Sequence, residues 1–225
     1  MWRIFRHTKG MLYVGIGAAL HSESCEPLVV YRTLYDNALS STWARPKEMF
    51  HEEISPGVTR FTEVARVRIA VPEDEAIILS VRGLENSSTR AILDESRRGG
   101  DRLKDLARVT YFLLELTNGD VIATVAARRA ARRVVELSSL VVKPTHRRRG
   151  YGSALARVVM EIFRMEDDAV RFIGILTSKT TLFERLGFCA VPVTQGARAS
   201  DAIMYPGDSP LSDGERLHLS RLVDG

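Results

Sequence analysis

Val141-Val142-Lys143-Pro144-Thr145-His146-Arg147-Arg148-Arg149-Gly150-Tyr151-Gly152 carries the strongest chemical signal in the chain. A strand-like run, Val134 to Val142, ends in a basic loop from Lys143 to Arg149. Two glycines then lead into a helix over Tyr151 to Met165. Glycine lets a backbone turn tightly and approach a ligand closely. Successive N–H groups at a helix start can hold a pyrophosphate, helped by the helix dipole, and arginines add charge and donors. A lone G-x-G says little, but R-x-x-G-x-G between strand and helix says much more. The opposing reading is an ordinary strand-to-helix turn with solvated arginines. Within the helix, Leu155, Val158, Val159, Ile162 and Phe163 fall at the spacing of one buried stripe.

Upstream, Val64 to Val71 alternates apolar and polar residues, as a strand with one buried face does. Pro72-Glu73-Asp74-Glu75 opens a helix that continues over Ala76 to Leu84, with proline in the first turn and acids at the positive dipole end. Ser88 to Arg97 reads as a second helical piece and Gly99-Gly100-Asp101 as a loop. Val109 to Leu116 and Val121 to Arg128 form a hairpin across Asn118-Gly119. Downstream, Arg171 to Thr177 is a strand, and Thr180 to Leu186 a short helix closed by Gly187. Phe188 to Val193 and Ala202 to Tyr205 follow as strands. Ser212-Asp213-Gly214-Glu215 has the capping-box pattern of a tail helix reaching Leu222. At the other end, Leu12 to His21, Leu28 to Tyr35 and Thr42 to Ala44 are strand-like, and Ile54-Ser55-Pro56-Gly57 is a break. The chain therefore divides into a small β unit over 1–60, a larger unit over 61–207 and a tail over 208–225.

The 225 residues are 45% hydrophobic, enough to build a core. No run approaches the roughly 20 apolar residues of a membrane span, and Met1-Trp2-Arg3-Ile4-Phe5-Arg6-His7 lacks the apolar centre of a secretory signal. Cys25 and Cys189 stand far apart without metal-ligand spacing, so free thiols, a cytoplasmic setting and no metal are the expectation. The net charge of +4 is uneven. Arg128, Arg129, Arg132, Arg133, Lys143, Arg147, Arg148 and Arg149 crowd one stretch against a single acid, Glu136, which suggests a polyanionic partner: a phosphorylated cofactor or a nucleic acid.

Taken together, Arg147-x-x-Gly150-x-Gly152, the strand Glu136-Leu137-Ser138-Ser139-Leu140-Val141-Val142-x-Pro144 and the run Leu182-Phe183-Glu184-Arg185-Leu186-Gly187-Phe188 resemble the GNAT acetyltransferases over about 61–205. The resemblance implies an α/β (α+β) fold with a mixed, mostly antiparallel central sheet and flanking helices. It implies acetyl-CoA as donor, a strand near Leu140 to Val142 that splays to receive the pantetheine arm, and direct attack by an amine on the thioester. Leu140, Val141, Val142, Arg147, Arg148, Arg149, Gly150, Tyr151, Gly152, Ser153, Ser178 and Phe183 become the cofactor-binding candidates. Glu136 coincides with the base glutamate of the histone-acetylating branch, and the Leu140 N–H with the oxyanion donor. A base is needed because only a neutral amine attacks, and a donor because negative charge develops on the carbonyl oxygen. Strand alternation places Glu136, Ser138, Leu140 and Val142 on one face. Glu136 also reads as one half of an ion pair with Arg132 or Arg133. Phe183 stands where the family often has an acid tyrosine. A phenyl ring donates no proton, so Ser178, Thr180, Thr181, Tyr205 or water would have to serve. His146 reads as an exposed loop residue, Tyr151 as a cover for the helix start, and Cys189 as core.

Residues 3 to 50 resemble a second, bacterial family of uncharacterised function through Arg6-His7-x-Lys9-Gly10-x-x-Tyr13, Ala19-x-His21-Ser22-Glu23, Val30-Tyr31-Arg32-x-Leu34-Tyr35 and Trp43-x-Arg45-Pro46-x-x-Met49-Phe50. That resemblance implies a small β-barrel-like domain. Tyr13, Tyr31, Trp43 and Phe50 are expected to build its core. The functional expectation is an N-acetyltransferase, with paired subunits common in the family and the first unit helping to choose an acceptor. The acceptor could be a protein, a small amine or a charged tRNA. A CoA-sensing or nucleic-acid-binding module without catalysis and a toxin-like enzyme acetylating aminoacyl-tRNA are the alternatives.

Overall fold

The structure, a computed structural model, describes residues 1–83, 109–131, 134–166, 171–177, 180–192 and 202–206. The expected helical piece at Ser88 to Arg97, the loop at Gly99 to Asp101 and the tail helix after Ser212 lie outside the described residues. In chain order the elements are β1 (Trp2–His7), β2 (Leu12–Leu20), β3 (Pro27–Thr33), β4 (Thr42–Pro46), α1 (Lys47–Phe50), β5 (Glu53–Ser55), β6 (Val58–Thr59), β7 (Phe61–Ile69), α2 (Glu75–Arg82), β8 (Val109–Leu116), β9 (Val121–Ala131), β10 (Val134–Val142), α3 (Tyr151–Glu166), β11 (Arg171–Thr177), α4 (Thr180–Glu184), β12 (Phe188–Pro192) and β13 (Ala202–Pro206). Among the described residues eleven strands form one sheet, ordered β12-β13-β11-β10-β9-β8-β7-β1-β2-β3-β4. Neighbours run antiparallel except β10 and β11, which are parallel. A parallel pair needs a crossover, and α3 supplies it.

The stripe of α3 closes the core on one face of the sheet: Leu155, Val158 and Val159 are fully buried against Phe112, Leu114, Val125 and Leu137. On the other face Ile78 and Val81 of α2 pack on Tyr111, Leu113, Val121 and Ala126. Helix α2 stops at Gly83, whose φ of +66° favours glycine. The hairpin at Asn118-Gly119 turns as its sequence predicts, with Gly119 at φ +87°.

The N-terminal strands do not stand apart as a barrel-like unit. They continue the main sheet, because β1 pairs with β2 on one side and with β7 on the other. Ile4, Leu12, Val14 and Leu34 join the core beneath α3, while Phe5, Tyr31, Phe50 and Phe61 form a cluster on the opposite face. In that cluster Phe50 and Phe61 stack at 4.3 Å, whereas Tyr13 and Trp43 are only partly buried. Strand β1 is not legible in the sequence. Arg6 lies on its core-side face, and a bulge between Ile4 and Phe5 interrupts the register with β7.

A buried charge network locks β7 to β8 and to the start of α2. Arg68 donates to Glu115 at 2.8 Å and to both carboxylate oxygens of Asp74 at 2.6 and 2.7 Å, and Arg66 also donates to Glu115. The Arg68 bonds hold the Asp74 carboxyl below the usual range. At Glu115 burial pushes the carboxyl up, but bonds from Arg68 and Arg66 outweigh it and leave it lowered. Depressed folded values mean stability that is fully present above the unfolded pKa and is lost as pH falls through the folded one. Thermal midpoints should therefore hold between about pH 7 and 5 and fall below about pH 4, with Asp74→Asn flattening the fall. A midpoint indifferent to acid would contradict this account.

Candidate functional site

The loop after β10 is anchored before it reaches the glycines. The Lys143 N–H donates to the Ile122 carbonyl at 2.8 Å, and Arg147 Nε donates to the Val142 carbonyl at 3.0 Å. Arg148 then adopts φ +60° and Gly150 φ +81°, left-handed values that turn successive N–H groups toward one side. The Ala154 N–H is taken by the Gly150 carbonyl, but the six N–H groups of residues 148–153 have no acceptor among the described residues. Gly152 starts the helix against β10: a Cβ there would sit 3.2 Å from Val142 Cγ2. Beside this loop lies a groove of about 600 Å³, lined by Leu140, Val142, His146, Arg147, Arg148, Gly150, Tyr151, Gly152, Ser153, Leu182 and Arg185. Among the described residues no acid lines it. Donors without an acceptor at a helix start, together with four basic side chains, are the chemistry that can hold an anionic group.

Strand β10 is irregular where it meets the groove. Its pairing with β9 slips by one residue between Ser138 and Val141, and Ser139 sits at φ +53°. This is a β-bulge, which reverses the alternation beyond it. The expectation that Glu136, Ser138, Leu140 and Val142 share a face is thereby corrected. Leu140 and Val142 pack with the α3 core, whereas Val141 packs with the α2 core. On its other side β10 pairs with β11 only from Val134–Arg171 to Leu137–Gly174. Ser139 and Leu140 thus have no register partner on either neighbour, and the sheet is split beside the groove.

Glu136 lies just before the split and is 8% exposed. Among the described residues it pairs with Arg128; Arg132 and Arg133, the partners expected from the sequence, lie outside the described residues. Arg128 faces it across the β9–β10 pair and donates at 2.6 and 3.1 Å. Next to the bulge, Arg82 donates to the Tyr111 hydroxyl at 2.9 Å. Burial raises the Tyr111 phenol above its ordinary value, against the opposing pull of Arg82 and of a bond with Ser139.

Of the cofactor candidates, Leu140, Val142, Arg147, Arg148, Gly150, Tyr151, Gly152 and Ser153 line the groove; Val141 and Arg149 do not. Ser178 lies outside the described residues. Phe183 is 5% exposed and packs edge-on against Phe188 at 5.4 Å, in the core rather than the groove. His146 lines the groove instead of standing clear of it. Cys189 is exposed, because Phe188 takes the inward position. Sequence reasoning missed Leu182 and Arg185. Their three-residue spacing, offset by one from the buried pair Phe183 and Leu186, was the available signal.

Residues 81–188 match the sequence model of the acetyltransferase (GNAT) family. Residues 3–63 match a family described as protein of unknown function (DUF1653). No curated protein matches the chain. Among solved structures it is similar to the ribosomal-protein-S18-alanine N-acetyltransferase from Escherichia coli, at 18% identity and TM-score 0.48, over 66% of this chain and 97% of that one. The PaiA N-acetyltransferase from Thermoplasma acidophilum, in complex with coenzyme A, is 16% identical with TM-score 0.47, over 63% of this chain and 98% of that one. For the N-acetylglutamate synthase from Neisseria gonorrhoeae, complexed with coenzyme A and N-acetyl-glutamate, the values are 18%, 0.47 and 63%, and the match spans only 34% of that longer chain. No helix among the described residues is long and apolar enough to cross a membrane.

Proposed function

We propose that this chain, whose residues 81–188 match the model of the acetyltransferase (GNAT) family, moves an acetyl group from acetyl-CoA to an amine acceptor. The observation that carries this reading is the run of six N–H groups, without an acceptor among the described residues, beside the split between β10 and β11. Acetyl-CoA would supply an activated thioester. The N–H groups of residues 148–153, with Arg147 and Arg148, would hold its pyrophosphate, and Leu140 and Val142 would flank the arm. The groove lies on the α3 side, and Glu136 shares the α2 face with Val141. A thioester entering the split from the groove would thus meet an amine from the side of Glu136. Glu136 would accept the first ammonium proton, the amine nitrogen would bond to the carbonyl carbon, and the carbon–sulfur bond would break as the nitrogen's second proton passes to the departing thiolate. The Leu140 N–H would meet the developing oxyanion. Phe183 has no proton to exchange, so water or a hydroxyl would relay that second proton. Thiols far apart in the chain fit a reducing, cytoplasmic setting.

One observation favours a second reading. With Phe183 buried where an acid would stand, the chain could bind acetyl-CoA without turning it over. Incubation with acetyl-CoA and a cell extract separates the two, with mass spectrometry for acetylated species and thiol release for turnover. New acetylated species, carried on a protein amine, a small amine or an aminoacyl-tRNA, are expected, and their mass names the acceptor. Cofactor binding without transfer supports the second reading, and absence of binding overturns both.

A further inference from the structure

The helix that starts the cradle is tied to the N-terminal strands at three points. At its first residue, Arg6 donates to the Tyr151 hydroxyl at 3.1 Å, with its guanidinium carbon 5.8 Å from the ring centroid. Two turns on, Arg157 donates to Asp36 at 2.8 Å and to the Arg185 carbonyl at 3.0 Å. In the next turn, Glu161, 8% exposed, accepts from Arg32. Beneath the loop, Gly150 rests over Leu12: a Cβ at Gly150 would lie 3.7 Å from Leu12 Cδ1. The cradle is therefore held between two walls, with β10 under Gly152 and the N-terminal strands under Gly150 and Tyr151. Strand β1 is bonded on both sides, so Arg6 is presented from a rigid interior position.

We propose that the N-terminal unit is a structural part of the acyl-CoA site, and that Arg6 is a positioning residue acting on the phosphate-binding turn through Tyr151. This rests on the acetyl-CoA reading above. Tyr151 contributes one of the six N–H groups without an acceptor among the described residues, and it lines the groove while the residue is only 6% exposed. Fixing its ring fixes the direction of its own N–H and of its neighbours'. Preorganised donors bind an anion more tightly than donors that must be ordered on binding. A unit whose separate role is unassigned thereby acquires one: it stiffens the cradle from the side opposite β10.

Isothermal titration of the full chain with acetyl-CoA tests this without knowledge of the acceptor. Arg6→Met and Tyr151→Phe should each raise Kd about tenfold, the effect of losing one hydrogen bond to a charged donor. The double variant should be no worse than either single one, because both remove the same contact. Arg6→Lys keeps a cationic donor and should recover part of the loss. Arg3→Met, at an exposed position on the same strand, should leave Kd unchanged. A merely structural Arg6 would lower the thermal midpoint and leave Kd unmoved at a temperature where every variant is folded. That result, or additive losses in the double variant, overturns the proposal. If Gly152→Val still abolishes binding in that case, the acetyl-CoA reading stands. If the unaltered chain does not bind acetyl-CoA, both fall.

Discussion

Gly152→Val is expected to raise the Kd for acetyl-CoA at least ~100-fold while leaving the chain folded. A Cβ at Gly152 meets one atom, Val142 Cγ2, at 3.2 Å, and the further carbons of valine must occupy the space between helix start and strand that forms the groove. Losing two charge-assisted hydrogen bonds at roughly 1.5 kcal/mol each gives about 3 kcal/mol, which is about a hundredfold. The fold should survive, since the contact is with a side-chain methyl at the groove rather than with the stripe of α3 beneath it. Gly57→Ala is the matched control. At φ +74° with open space around it, in the turn of the separate β5–β6 pair and outside the groove lining, alanine there is strained, so stability should drop without loss of binding. Calorimetric titration and thermal melts of the two variants separate the effects. Tight binding by Gly152→Val would remove the phosphate cradle from the account.

The second large effect is expected at Glu136→Gln: a fall in kcat of about 100-fold or more, the usual contribution of a general base, with the acetyl-CoA Kd unchanged. Glutamine keeps the shape and one oxygen for the Arg128 bonds at 2.6 and 3.1 Å, so the strand pair should hold. Turnover is measured on the acceptor identified by mass spectrometry. If kcat is retained and only the thermal midpoint falls, Glu136 is an ion-pair partner and nothing more. Its geometry permits both roles. The Glu136 side chain is 10% exposed, while the Arg128 side chain is 36% exposed and can be drawn away by an incoming acceptor.

Much of the cofactor side was legible because its demands are local. A left-handed turn calls for glycine, a helix start exposes N–H groups, and a buried helix face repeats every three to four residues; Gly150, Gly152 and the Leu155-to-Phe163 stripe carry all three signals. The hairpin at Asn118-Gly119 is legible for the same reason. The bulge at Ser139 is not. Ser139 is an ordinary strand residue in sequence, and only the slip against β9 reveals that Leu140 and Val141 have exchanged faces. Phe183 matches an expected helix, but its burial against Phe188 depends on how that helix lies on the sheet.

The sequence by itself determined the strand-to-helix turn, its basic charge, its unpaired donors and the helix that follows, since each follows from neighbours within a few positions. Tertiary structure decided the rest. It set Arg128 opposite Glu136, parted β10 from β11 after Leu137, and carried β1 through β4 into the main sheet so that Arg6 meets Tyr151. Those outcomes turn on register between strands that are distant in the chain. A one-residue shift in register exchanges every face, and no local pattern records it.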